Sequence, residues 1–460
     1  MRKLQRSQII LVLCFAMMIG IFLGFKFTES GTYQLVSYAN GTTQIQDTYH
    51  HFWLAKNALA ASNDRNLCIM DEQGNVLALK EGLVNLHTKA ITENTSYTID
   101  GTDEKGYING QYGADALYLG TNHDGSKILC MISGVRAWFN RSDVVLYPYS
   151  DQVHSSYYTI QGNALNHTIS LSVTDTQSVT YAIGPKPEGL QENTVYFSYD
   201  GHWFYDSFDK LSDDMQLERH DHAVNSTAYY NPYQFMPHRS TTSLSAEDFN
   251  TFLENKHRTN SLLYDQGETF LKGQNTYGIN AAMVFSLACN ESAYGQSAIA
   301  KSTNNLFGHA AYDSNPDAAT SYASIANCIQ AHDVDFIQKG YANPKDSRYR
   351  GSWFGDKSTG INVNYASDPY WGEKAASIYY QLEPNLKQKP STWMCTQDIP
   401  VYDKPNGNVL YTYTKGSVIS VIIKKQENGW TQIASEAPIK NGAIDVKGTY
   451  NNDSVYIEGD

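Results

Sequence analysis

Short segments that alternate apolar and polar residues, divided by glycine-containing turns, run through 62–150; 75–79, 96–99 and 116–119 are examples. This period of two predicts a small β module. A second strand-rich stretch, 151–208, contains Tyr157-Tyr158-Thr159-Ile160 and ends in an aromatic run whose Asp200-Gly201 pair signals a hairpin. From Ser245 the spacing becomes helical: Ser245 is an N-cap candidate, Glu247 and Asp248 fall in the first turn, and Phe249, Phe252 and Leu253 supply an apolar face. Further helices are expected over 261–272, 325–337 and 373–382. After Pro384 and Pro390 the pattern returns to strands, around Val401 and over 409–413, 418–423 and 430–433. The pattern describes a mainly helical domain between all-β modules.

One helix stands apart within the stretch 277–308. At 100° per residue Ile279, Met283 and Leu287 share one side, Ala282 and Phe285 fall on others, and Ala288 and Cys289 close the ring. A helix apolar all round is buried. Nearly all its polar residues collect at the C-terminal end, as Asn290, Glu291 and Ser292, shortly before the stop signal Gly295. The negative end of the helix and burial both favour the protonated carboxyl of Glu291, which is the form a general acid needs.

Composition narrows the classes. At 460 residues the chain has room for about three domains. Lys and Arg total 34 against 47 Asp and Glu, for a formal charge of -13, and no basic run follows the N-terminus. This argues against a nucleic-acid partner. Tyrosine supplies 34 residues, a bias that suits strand packing and also stacking on sugar faces. After Arg2, Lys3 and Arg6, the segment 9–25 runs without charge for about 17 residues, enough for a bilayer-spanning helix. The basic flank places the N-terminus inside and the rest outside. No small-residue cleavage site follows, so an uncleaved anchor is expected; cleavage would give a secreted product. Besides Cys14, the dispersed Cys68, Cys130, Cys289, Cys328 and Cys395 read as buried small hydrophobes, with Cys289–Cys328 and Cys68–Cys130 pairing left open. His220-Asp221-His222 lies in a charged stretch without a third ligand at helical spacing, so neither a metal nor another cofactor is expected.

Glu291-Ser-Ala-Tyr-Gly-Gln-Ser297 followed by Asn304-Asn305-Leu306-Phe307-Gly308 resembles the glucosaminidase domain of bacterial peptidoglycan hydrolases. Further along, 311–313, Ser321-Tyr322 and 360–374 look like the pneumococcal-type endo-β-N-acetylglucosaminidase branch, as does 233–242 upstream. The resemblance implies a lysozyme-like α+β catalytic domain that cleaves the β-1,4 bond between N-acetylglucosamine and N-acetylmuramic acid in peptidoglycan glycan strands. Glu291 would be the general acid. A glycosidase ordinarily needs a second carboxylate; Asp313 ranks first, ahead of Asp317 and Asp368, and a substrate-assisted route without one stays open. Tyr365 aligns with a cleft tyrosine that binds the acetamido group or orients a water. Tyr294, Asn305, Tyr322, Asp368, Tyr370 and Trp371 are the expected substrate contacts, with Asn304, Asn305 and Gly308 forming a tight turn in the cleft wall. Alternatives are an N-acetylmuramidase, a lytic transglycosylase or a non-catalytic wall-binding scaffold. The C-terminal segment, with Asn428-Gly429-Trp430, resembles bacterial SH3-like wall-binding modules.

The expected organisation is a cytoplasmic tail (1–8), a transmembrane anchor (9–25), a stalk (26–61), two β accessory modules (62–150 and 151–208), a linker (209–229), the catalytic domain (230–386) and an SH3-like module (395–460).

Overall fold

The computed structural model describes residues 31–39, 42–150, 152–310 and 319–459. The expected tail and anchor, and the candidates Asp313 and Asp317, lie outside the described residues. Among the described residues no helix is long and apolar enough to cross a membrane. The architecture is multidomain, with a helical α+β domain between all-β units.

The segment expected as a stalk is, from 33 onward, folded. Strands Tyr33–Ala39 and Thr42–Tyr49 pair as a hairpin, and the first also pairs with Leu67–Met70. Thr42–Tyr49 is exposed nearly throughout, which is why its sequence reads as a spacer. Leu35 and Val36 on the inner strand are buried, and the helix Phe52–Ala61 lays Phe52, Ala55 and Leu59 on the same sheet. Next comes a seven-stranded antiparallel sheet ordered 145–148, 82–85, 115–121, 127–132, 135–140, 95–99 and 105–108. Three strands, Tyr157–Gln161, Ala164–Ser170 and Ser178–Pro185, make the next unit. Asp200-Gly201 forms the expected turn, with Gly201 at φ 73° and Phe197 bridged to Tyr205.

The stretch 209–229 is not a plain linker. It begins within the helix Phe208–Gln216, whose Phe208, Leu211 and Met215 share a buried face despite its charged composition. His222 Nδ1 and Arg219 Nε pair with the buried Asp214 at 2.8 and 3.2 Å.

In the helical domain, Ser245 and Asp248 form a capping box that starts Ala246–Asn255. The helix expected over 261–272 instead spans Gly267–Tyr277. Asp265 takes a left-handed conformation (φ 60°) that breaks the chain before it. Gly267 also packs directly on Ala246, whose carbonyl would lie 2.5 Å from an added Cβ. The helix Ile325–Ala331 widens into a π-helical turn over His332–Tyr341, beyond the expected end at 337. Trp371–Leu382 packs along the buried helix Ala281–Glu291.

The C-terminal unit is all β and starts at Ser391, with a five-stranded sheet ordered 409–413, 399–402, 454–458, 430–434 and 423–427. Asn428 and Gly429, both at positive φ (53° and 77°), make the two-residue hairpin before Trp430. It docks closely on the helical domain: Ser420 Oγ donates to Phe235 O at 2.5 Å, and Arg239 Nε donates to Glu436 O at 2.9 Å. Cys68, Cys130, Cys289, Cys328 and Cys395 are buried free thiols.

Candidate active site

The position of Glu291 is set from the far end of its helix. Asn280 Oδ1 accepts from the N–H groups of Ala282 and Met283 at 2.9 and 3.2 Å, and Asn280 Nδ2 donates to Ser240 Oγ at 2.9 Å. Every residue from Ala281 to Cys289 is buried. Past Glu291 the chain reverses through Ala293, Tyr294 and Gly295, all left-handed (φ 51°, 58° and 67°). Ser292 ties this reversal, its Oγ donating to Ala288 O at 2.5 Å and accepting from Gly295 N at 2.6 Å. The Glu-Ser-x-x-Gly spacing thus has a local cause, and it leaves Glu291 half-buried at the end of a fixed helix.

Separate parts of the chain meet at its carboxylate. Trp371 Nε1 donates to Glu291 Oε1 at 2.5 Å, and Asn290 Nδ2 donates to the same oxygen at 3.3 Å. Gly308 backs onto the other oxygen: a Cβ there would lie 3.4 Å from Oε2, and its φ of 64° suits glycine. The Tyr365 ring lies 4.9 Å from that of Trp371, and its hydroxyl donates to Phe307 O at 2.7 Å. Burial first, and then the charge of Glu291, hold the Tyr365 phenol well above its usual range, so it stays neutral.

Behind Gly308 the turn is closed from within. Asn305 is buried; its Oδ1 accepts from His309 N at 3.0 Å and its Nδ2 donates to His309 O at 2.8 Å. Asn305 therefore closes this turn. His309 joins Tyr322 Oη through Nδ1 at 2.7 Å and His332 Nδ1 through Nε2 at 3.1 Å, between the rings of Phe307 and Phe336. Burial pushes His309 down to about 3 and His332 well below its usual value. Both are neutral when folded, so between about pH 6.5 and 3 the unfolded chain binds more protons than the folded one. Their stabilising contribution is complete above that window and is lost as pH falls through it. The melting temperature of the wild type should fall more steeply from pH 6.5 to 4 than that of His309→Gln; parallel curves would contradict this account.

Other expected contacts are placed differently. Tyr370 is 3% exposed, wedged against His167 and Gly113 of the β units. Trp371, also 3% exposed, presents its N–H to Glu291 rather than a face to solvent. Tyr294 lies near Phe252 and Arg258. Asp368 accepts from Lys374 Nζ at 2.6 Å and from Tyr370 N at 2.9 Å, so both oxygens are engaged in starting the Trp371 helix. Tyr322 stays half-buried near Tyr365.

Sequence reading missed Lys357 and Glu373. Lys357 is buried, pushed down to about 8 by desolvation, and donates to the carbonyls of Asn362 and Ala366 at 3.0 Å each, fixing the turn that bears Tyr365. The only signal was a lysine in the glycine-rich, aromatic run 351–360. The first β module holds the same turn through Asn109 N to Ser367 O at 2.8 Å, Ser133 Oγ to Pro369 O at 2.5 Å and Tyr107 Oη to Asn364 O at 3.3 Å.

Residues 267–384, which contain Glu291, Gly308, Tyr365 and Trp371, match the glucosaminidase family, described as mannosyl-glycoprotein endo-beta-N-acetylglucosaminidase. This segment is similar to a glucosaminidase domain. Two curated relatives, each named putative endo-beta-N-acetylglucosaminidase, come from Streptococcus pneumoniae serotype 4 (strain TIGR4) and strain R6; each is 29% identical over 268 residues, or 58% of this chain. This chain spans only 36% and 33% of their lengths. Among solved structures, a catalytic mutant of S. aureus autolysin E in complex with the disaccharide NAG-NAM is 20% identical, with 34% of this chain and 74% of that one covered and a TM-score of 0.28. The major bifunctional autolysin is 23% identical, with 41% and 82% covered and a TM-score of 0.26. The glucosaminidase match begins at the helix Gly267–Tyr277 and ends just past Leu382.

Proposed function

We propose that the glucosaminidase domain hydrolyses the β-1,4 bond between N-acetylglucosamine and N-acetylmuramic acid in bacterial wall glycan, with Glu291 as general acid. The observation that carries this reading is the Glu291 carboxyl at the end of a buried helix, held by Trp371 Nε1 at 2.5 Å, inside the family-matching segment. With Oε1 accepting from Trp371, the proton passed to the leaving glycosidic oxygen sits on Oε2, on the Gly308 side. The Tyr365 hydroxyl hydrogen is committed to Phe307 O, so this phenol receives the N–H of the acetamido group on its oxygen. That places the acetamido carbonyl for attack on its own anomeric carbon, a route that needs only one protein carboxyl. Asp313 is the alternative second carboxylate.

The segment 9–25 acts as a membrane anchor, which its charge-free length and basic flank support. The β units, including the SH3-like module from 391, hold the chain on wall polymer outside the cell. Mass spectrometry of purified peptidoglycan digested with the full chain tests bond choice. New reducing N-acetylglucosamine ends are expected. Reducing N-acetylmuramic acid would make the enzyme a muramidase, the anhydro form a lytic transglycosylase, and no new ends a wall-binding scaffold.

A further inference from the structure

A cavity of about 1040 Å³ opens where the first β module, the aromatic hairpin around Trp203, the helical domain and the C-terminal β unit meet. This is at the upper end of the range for ligand pockets. None of Glu291, Tyr365 or Trp371 lines it. Its mouth carries the exposed carboxylates Glu104 and Glu218, and deeper in it Trp353 and Tyr413 are buried.

Aromatic side chains stand on several of its walls. Trp203 lies flat on His220, with ring centroids 4.4 Å apart and planes 9° from parallel. Tyr230 contributes from the entry to the helical domain, and Tyr411 and Tyr413 from the strand Val409–Tyr413. The Tyr413 hydroxyl is committed to Glu436 at 3.1 Å.

The charges around these rings are already matched. Arg136 pairs with Asp100 at 2.8 Å and with Glu218 at 3.4 Å, and Arg350 lies 3.9 Å from Glu104. Asp200 accepts from the backbone N–H groups of His202 and Trp203 at 2.8 and 2.9 Å. A stem peptide with free carboxylates and amines would have to displace these partners. A pyranose chain would not: it offers an apolar C–H face to a ring and neutral hydroxyl and amide groups at its edges.

We propose that this cavity is a second carbohydrate site, one that binds a short neutral chain of N-acetylated sugars on Trp203 and Tyr230, apart from the Glu291 cleft. It would hold such a chain independently of the Glu291 cleft. The inference does not rest on hydrolysis by Glu291.

The test is calorimetric titration of the full-length Glu291→Gln chain with the N-acetylglucosamine tetramer, which this background should leave uncleaved. A class of sites is expected that Trp203→Ala and Tyr230→Ala each weaken at least tenfold, whether or not the cleft also binds. Tyr230→Ala keeps the test valid if Trp203→Ala, which touches the β core, loses its native circular dichroism. Binding unchanged in natively folded variants would overturn the proposal. So would no binding at all, or a Trp203-dependent site that takes a free stem peptide in place of the sugar. If wild-type chain released no wall fragments while Trp203-dependent sugar binding persisted, the hydrolase reading would fail and this one would stand.

Discussion

Glu291→Gln should lower the release of new reducing ends from peptidoglycan by on the order of 10²–10⁴-fold, the usual span for removing a general acid, with wall binding little changed. The substitution isolates the proton. Glutamine keeps an oxygen that can accept from Trp371 Nε1, and it fills the same space beside Gly308. What it lacks is an acidic hydrogen for the leaving oxygen. Residue 291 lies half-buried at the end of its helix, so the fold should tolerate the change, and circular dichroism would verify this. A variant that kept a tenth of wild-type activity in a reducing-end assay would remove Glu291 from the role.

The largest stability effect is expected at Glu373, two residues beyond Trp371. Its carboxylate lies 2.6 Å from His167 Nδ1, accepts from Tyr158 Oη at 3.3 Å, and is 6% exposed, while His167 is fully buried. The opposite imidazole nitrogen of His167 has no partner. Glu373→Ala therefore leaves the buried Nδ1 of His167 without its partner, which costs about 1–3 kcal/mol. For a unit of this size that corresponds to a melting point lower by about 5 °C. Because Glu373 links the three-stranded unit to the helix that begins at Trp371, the turnover number should fall while the variant is still folded. A melting curve within a degree of wild type would show that the pair does not couple these units.

Local chemistry was legible in the sequence at several caps and turns. Ser245 with Asp248, Asp200-Gly201, Asn428-Gly429 and the Glu291-Ser292-Gly295 turn each define their element within a few residues. The helix Phe208–Gln216 was missed because its Asp and Lys content outweighed the apolar spacing of Phe208, Leu211 and Met215. The strand Thr42–Tyr49 looks like a spacer because nearly all of it faces solvent. Tyr370 and Trp371 read alike, as adjacent aromatics near a cleft. Their different roles depend on which long-range surface each meets: Gly113 and His167 for one, Glu291 for the other. The burial of Lys357 likewise depends on partners that sequence spacing does not encode.

The contacts from Tyr107, Asn109 and Ser133 to the turn that bears Tyr365 have a consequence for biosynthesis. The chain is made from its N-terminus, and domains fold as units in that order. The surface that shapes the turn can therefore be finished before the turn emerges, so the template precedes its casting. Grafted alone into another host, residues 230–386 would bring Glu291 and its helix but leave behind the mould that sets the opposite wall.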